Sequence, residues 1–106
     1  MDEQIKQADA IALATYQKAA DGRMRAIITE FLKKKPGAEV KYHVGDEDPF
    51  ASYYPKPRAR HGNKIIIFFT GPSDTMSLAV YGDRIPSYGD ITLEEFKNKC
   101  KESSDS

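Results

Sequence analysis

The chain has 106 residues and balances sixteen acidic side chains against sixteen basic ones, which predicts one small soluble domain. The balanced charge indicates neither a nucleic acid nor a membrane as partner, and no apolar run approaches the roughly 18 residues of a membrane span. The acidic start Met1-Asp2-Glu3-Gln4 lacks the order of a signal peptide, and Cys100 is the only cysteine. We therefore expect a cytoplasmic protein without an internal disulfide.

The first third of the chain is predicted to form two helices. The first would run from residue 2 to about residue 20, because apolar residues recur there at steps of three and four: Ile5, Ala8, Ala12, Tyr16 and Ala19. Asp21-Gly22 would separate the two helices, since Asp caps helix starts and Gly tolerates tight turns. The second helix would end at the cationic and Pro-Gly run 33–37. Its inner face would carry Met24, Ile27, Ile28, Phe31 and Leu32.

From residue 39 onward the pattern predicts strands. Val40, Tyr42 and Val44 alternate with polar residues, which is typical of a half-exposed strand. A short strand at residues 50–54 would follow, ended by prolines. Residues 76–81 are predicted to be the last clear strand.

The run Ile65-Ile66-Ile67-Phe68-Phe69 predicts a strand of a different kind. It is β-branched and aromatic, it does not alternate with polar residues, and a Gly-Pro turn follows it. A strand without alternation must be covered on both faces. The cover would come from the protein's own helices or from a second copy of the chain.

The end of the chain is predicted to be a short helix. Thr92 and Glu95 have the spacing of a capping box, in which a hydroxyl and a carboxylate each satisfy a free amide at a helix start. The helix would bury Leu93, Phe96 and Cys100. It would end near residue 102 and leave residues 103–106 as a disordered tail. The prediction is one α+β domain over residues 1–102, with two N-terminal helices, an antiparallel sheet of three to five strands and this helix.

No catalytic residue, metal ligand or cofactor is predicted. His43 and His61 fall in a strand and a loop, without the spacing of a metal site. Cys100 on a helix is best explained as a packing residue. The acidic run 46–48 lacks the alternating oxygen ligands of a calcium loop and is interpreted as a solvated turn.

A basic loop, residues 56–64, offers one candidate interaction site. No acidic residue occurs between Pro49 and Ser73, and four cations lie there near aromatic side chains: Lys56, Arg58, Arg60 and Lys64. Cations beside stacking rings suit a single-stranded nucleic acid or an acidic partner. The alternative is a solvated hairpin tip whose charges keep the neighbouring sheet soluble. Nucleic-acid binding is therefore kept as the alternative function.

The aromatic segment, residues 50–54, offers a second candidate site. It consists of Phe50, Ala51, Ser52, Tyr53 and Tyr54. A short strand flanked by loops is often an edge strand, and an edge with unpaired amides can add a strand from a peptide or a second subunit. The alternative is a hairpin arm that fills the core.

Short motifs over about residues 12–81 resemble those of one known family. Residues 12–16 (Ala-Leu-Ala-Thr-Tyr) are similar to its Ala-Leu-Glu-Lys-Tyr, and residues 27–34 to its Ile-Lys-Lys-Glu-Phe-Asp-Lys-Lys. Residues 43–45 and the aromatic segment resemble its Ile-Val-Gly and Phe-Gly-Ser-Tyr-Val. Residues 65–71 and 77–81 fall where its last two strands lie. The family is the eight-kilodalton dynein light chains.

The resemblance implies a non-catalytic interaction module that belongs to the cytoskeletal motor proteins. It implies a strand-swapped homodimer in which the aromatic segment crosses to the partner's sheet and leaves a groove for extended peptides. Ile67 and Phe69 would line the floor of that groove. The chain departs from the family at Pro55-Lys56, where the family has a Thr-His pair. The expected partner is thus a protein or peptide bound by strand addition.

Overall fold

The computed structural model describes residues 2–104, without the side chain of residue 104, and its centre is a four-stranded antiparallel sheet. The strand order is β2-β1-β3-β4. The strands are β1 (Ala10–Lys18), β2 (Met24–Lys34), β3 (Lys64–Thr70) and β4 (Ser73–Val80). The other elements are α1 (Glu3–Gln7), α2 (Leu93–Ser104) and a ribbon of β5 (Arg84–Ile85) with β6 (Ile91–Thr92). The α+β class, the antiparallel sheet and the C-terminal helix are confirmed.

The prediction of two N-terminal helices is wrong. Only the start of the first is helical, as α1, and the rest forms the hairpin of β1 and β2. The turn between them closes where the amide of Ala19 donates to the carbonyl of Arg23 at 2.8 Å. Gly22 has a φ of +90° there, a conformation that Gly adopts without strain. Asp-Gly between apolar runs is a hairpin signal as well as a helix boundary.

The sequence of β1 has the apolar spacing of a helix because both faces of the strand are buried. Ala10, Ala12 and Ala14 pack on one face of the sheet, while Ile11 and Leu13 pack on the other. When an apolar residue stands at every position, the pattern satisfies the helical period as well as the strand period. The strand lies in the middle of the sheet, where neighbours on both sides provide that burial.

The sequence of β2 also has the apolar spacing of a helix, because the strand contains two β-bulges. Its pairing with β1 shifts by one residue at Thr29 and again at Leu32. The first bulge places Ile28 and Phe31 against the same cluster although they are three residues apart. The hydroxyl of Thr29 donates to the carbonyl of Leu13 at 3.1 Å and stabilises the bulge. A helical spacing thus arises from an interrupted strand.

The doubly covered strand is confirmed as β3. Ile66 and Phe68 join the core on one face, and Ile67 and Phe69 join the core on the other. We call the first the helix face, because α1, α2 and the ribbon cover it. We call the second the loop face, because the long connection, residues 35–63, covers it. The protein's own chain provides both covers.

Two other predicted strands are not present as such. Residues 39–44 form no strand, although Val40 and Tyr42 do pack against the loop face. The aromatic segment makes a single bridge, between Tyr53 and Met24. The last predicted strand and the terminal helix are confirmed as β4 and α2. Residues 103 and 104 belong to α2, and residues 105 and 106 lie outside the described part.

Candidate functional site

The aromatic segment lies along the outer edge of β2 instead of offering an edge of its own. Tyr53 exchanges backbone hydrogen bonds of 2.7 and 3.0 Å with Met24. Further along, the amide of Asp48 donates to Ala26 at 2.9 Å, and the amide of Gly45 donates to Ile28 at 2.8 Å. The long connection therefore covers this edge of the sheet within one chain.

A polar network fixes the connection in this position. The hydroxyl of Ser52 accepts the amide of Ala26 at 3.0 Å and lies 2.7 Å from a carboxylate oxygen of Glu47. Glu47 also pairs with Arg23, and with Arg25 at 3.0 Å. The Arg23 guanidinium, then Ser52 and Arg25, lower the pKa of Glu47 to about 2. Ser52 and Glu47 thus hold the loop to the sheet.

The tyrosines of the aromatic segment serve the same purpose. The ring of Tyr53 lies between those of Tyr16 and His61, at centroid distances of 5.0 and 4.6 Å. Tyr16 donates its hydroxyl to the carbonyl of Ala51 at 2.9 Å, and its burial raises the pKa of Tyr16 to about 12. Tyr54 donates to Asp21 at 2.9 Å. These contacts are internal anchors.

Phe50 is the exception within the segment, because 79% of it is exposed. It forms a wall of what we call the Phe50 cleft, two adjoining hollows of about 400 and 240 Å³ between the long connection and β4. Both hollows have Phe50 and Asp74 in their walls. Lys41 lines the larger one, and Ile67 lines the smaller one. Both residues expected on a groove floor are buried: Ile67, at 1% exposure, borders the smaller hollow, whereas Phe69 packs beside Tyr42.

An acid pair, Asp48 and Asp74, lies beside this cleft. The interpretation of residues 46–48 as a solvated turn is wrong for Asp48, which is 0% exposed. Its Oδ1 accepts the amide of Phe50 at 3.0 Å, but within residues 2–104 no conventional donor reaches its Oδ2. The neighbouring group is the carboxyl of Asp74, and two carboxyls hydrogen-bond only when one of them carries a proton.

The electrostatics of the pair follow from this arrangement. Burial, followed by the hydrogen bond and the charge of Asp48, raises the pKa of Asp74 to about 7, while the Lys41 ammonium opposes the rise. Burial and Asp48 also raise the pKa of Tyr42. The Lys41 ammonium lies 5.3 Å from the ring centre of Tyr42 and 5.9 Å from that of Phe50. A cation is thus already held at the cleft.

The cations of the basic loop do not line the Phe50 cleft. Lys56, Arg58 and Arg60 are exposed, and Lys64 begins β3. The guanidinium of Arg60 lies 4.2 Å from the ring centre of Tyr81, so one of the four cations stacks on the protein itself. Lys56, Arg58 and Arg60 thus belong to one exposed loop.

The remaining candidates show ordinary roles. His43 is exposed, with its Nδ1 3.5 Å from Asp46. Cys100 is buried, and this burial raises its pKa to about 12, so that it remains a thiol. A further hollow, of about 540 Å³, adjoins the start of α2 and is lined by Asp83 and Glu94 as well as by Lys97. In the described part of the chain, no cluster of three metal-ligating acidic, His or Cys side chains occurs, and no helix could span a membrane.

Comparison of the chain with family models, with curated proteins and with solved structures gives no match. The resemblance to the dynein light chains therefore stays a prediction. The two N-terminal helices predicted from the apolar periodicity are replaced by the β1–β2 hairpin and α1. The Phe50 cleft and the two edges of the sheet are therefore the features that bear on function.

Proposed function

We propose that the protein is a non-catalytic binding module that adds an extended peptide to the outer edge of β4. The two outer strands of the sheet differ, because the long connection covers β2 whereas β4 pairs only with β3 among the described residues. An unpaired strand edge presents amides and carbonyls to a further strand. This open edge is the observation that carries the proposal.

The Phe50 cleft adds side-chain recognition to that edge. Its walls include residues 75–77 of β4 together with Phe50 and Ile67. A strand laid along β4 would direct alternate side chains toward the loop face, where the cleft lies. Backbone pairing would supply affinity that is independent of sequence, and the cleft would select a side chain.

A display library of short peptides, panned on the full chain, tests this proposal. Hydrogen exchange with a selected peptide should slow at amides of β4, and Ser77→Lys should weaken binding because a charge at a strand edge opposes pairing. Ser87→Lys, at an exposed position outside the sheet, is the matched control. Protection confined to the long connection would overturn the proposal. If the amides of β4 exchange slowly in the absence of peptide, and the protein has a mass near twice 11.9 kDa in solution, then a second copy of the chain occupies the edge of β4.

Nucleic-acid binding through the basic loop is the second candidate. The observation that favours it is the exposure of Lys56, Arg58 and Arg60, none of which forms an ion pair within residues 2–104. Such binding should weaken steeply with added salt, because neutralised phosphates release counterions. A titration with fluorescent single-stranded RNA at two salt concentrations measures this. Affinity that does not change with salt would exclude the candidate.

A further inference from the structure

We propose that the acid pair Asp48 and Asp74 is a receptor for a basic group, the alkyl ammonium of a peptide lysine that enters the Phe50 cleft. The peptide part rests on the proposed function, since strand addition at β4 would bring the side chain to the cleft. The binding of an ammonium by the acid pair does not depend on strand addition at β4. The two parts therefore call for separate probes.

The first support is a buried acceptor that lacks a well-aligned donor. Asp48 is 0% exposed, and within the described residues its Oδ2 has no well-aligned donor. The carboxyl of Asp74 and the hydroxyl of Tyr42 interact with this carboxylate, but no described cation forms an ion pair with it. A buried oxygen without a donor is costly, and a charged acceptor more so. An ammonium has three N–H donors and a positive charge, and it would satisfy both needs of this atom.

The second support is the proton that now occupies this position. Because Asp74 has a pKa of about 7, it carries a proton in about half of the molecules near neutral pH. A proton held between two carboxyls is the smallest cation that the pair can bind. An ammonium that enters would release this proton to the solvent and take over its role.

The third support is the shape and lining of the cleft. Both hollows that Asp74 lines have the exposed ring of Phe50 in their walls, which suits the apolar stem of a lysine. The ring of Phe50 already has the Lys41 ammonium at 5.9 Å, so the face of this ring is accessible to a cation. A metal ion fits less well, because hard cations take six or more oxygen ligands and the described residues contain no cluster of three metal-ligating side chains here.

The proposal implies a defined dependence on pH. The titratable groups around Asp74 are Asp48, Tyr42 and Lys41, and Tyr16 lies near Asp48 on the other side. Both tyrosines have a raised pKa and stay neutral below pH 8, so Asp74 is the group that changes. Ammonium affinity should therefore rise from about pH 5.5 to about pH 8, by up to about tenfold per unit below the pKa of Asp74.

Two matched peptides separate the cation from the backbone. Acetyl-Val-Thr-Lys-Thr-Val-amide and the same peptide with norleucine in place of lysine share their strand propensity and differ in the ammonium. Isothermal titration at about pH 8 should show the lysine peptide binding about tenfold more tightly, the usual range for a hydrogen bond to a charged group. Asp74→Asn should remove this difference. Asp83→Asn, an exposed aspartate away from the cleft, should retain it.

A small probe tests the cation site without a peptide. The carboxyl ¹³C signal of Asp74, followed by NMR, should titrate at lower pH in the presence of butylammonium chloride than in the presence of butanol. Lys41→Gln should strengthen the effect of butylammonium, since it removes a competing cation. Amide spectra of Lys41→Gln and Asp74→Asn that are unchanged outside the cleft would show that both variants fold.

The outcomes distinguish the two proposals. Equal binding of the two peptides would overturn the cation site and leave strand addition in place. Binding of neither peptide, together with a butylammonium shift at Asp74, would support the cation site and contradict the peptide function. A shift with calcium chloride but not with butylammonium would overturn the ammonium proposal in favour of a metal.

Discussion

The two faces of the sheet are covered by different kinds of contact. Large apolar side chains fill the helix face, where the ring of Phe96 packs against Phe68 and Tyr88 at centroid distances of 6.0 and 5.3 Å. The loop face combines the alanines of β1 with larger side chains such as Ile67 and Phe69, and the connection above it is also held by the hydrogen bonds of Ser52 and the ion pairs of Glu47.

The difference separates the source of stability from the place of binding. On the helix face, the described side chains leave no buried side-chain oxygen without a partner, and a hollow of about 250 Å³ lies beside Ala8 and Phe68. The loop face has the two hollows of the Phe50 cleft and, in addition, the buried Oδ2 of Asp48. We infer that the helix face maintains the fold and that the loop face is available to a ligand.

The largest expected effect is on the helix face. Phe96→Ala removes a fully buried ring and should lower the free energy of unfolding by about 3–5 kcal/mol. Urea denaturation followed by circular dichroism measures this. Phe50→Ala, the matched change on the loop face, should cost less than about 0.5 kcal/mol because the ring is exposed. Equal costs would break the contrast between the two faces.

A smaller effect is expected where the connection is attached to β2. Ser52→Ala leaves the buried amide of Ala26 without its acceptor and should cost about 1–3 kcal/mol. The exposed Ser87→Ala is the control. Hydrogen exchange should also become faster at the amide of Ala26 in Ser52→Ala. If exchange instead became faster throughout the helix face, the connection would be part of the main core.

The sequence predicted those elements whose signals are local. The apolar run of β3 and the capping box of α2 each lie within a few residues, and both are confirmed: the amide of Glu95 donates to the hydroxyl of Thr92 at 3.1 Å. β1 and β2 were missed because burial on two faces and the bulges at Thr29 and Leu32 hide the alternation of a strand. An Asp-Gly turn between them was the signal that could have revealed the hairpin.

The acid pair could not be predicted in the same way. Asp48 and Asp74 lie in separate loop and strand-start segments, and only the fold of the long connection over the loop face brings their carboxyls together. Each is an ordinary turn residue in its local context. Phe50, Ala51 and Ile67 were named as site residues and do line the cleft, but as walls beside β4 instead of an open strand.

The cap of α2 tests the helix face more gently. Thr92→Ala removes the acceptor for the amide of Glu95 and should cost about 1 kcal/mol. Thr92→Ser keeps the hydroxyl and should retain most of the stability. Thermal unfolding of both variants provides the comparison. An equal loss in both would mean that the methyl group of Thr92, and not its hydrogen bond, contributes the stability.

The smallest expected effect is the dependence of stability on pH, and it distinguishes two carboxyls of the loop face. The folded state raises the pKa of Asp74 from 3.8 to about 7, so it holds a proton that the unfolded chain has released. The contribution of this proton to the free energy of unfolding is complete below about pH 4 and disappears as the pH rises toward 7. Because Asp74 is half-exposed, screening by water reduces this contribution to about 1 kcal/mol. The contribution of Glu47 to stability depends on pH in the opposite direction. Its pKa in the folded state, about 2, is lower than the model-peptide value of 4.5, so the contribution disappears as the pH falls between these values.

Urea titrations of the wild type and of Asp74→Asn between about pH 2 and about pH 8 separate these two effects. The wild type should lose stability from pH 4 to pH 7 and then level off, whereas Asp74→Asn should be nearly flat over this range because its amide does not titrate. Both proteins should lose stability below pH 4, where Glu47 takes up its proton. A wild type that gains stability between pH 4 and pH 7 would mean that the two carboxyls share no proton, and the loop face would then lack the feature that sets it apart as a binding surface.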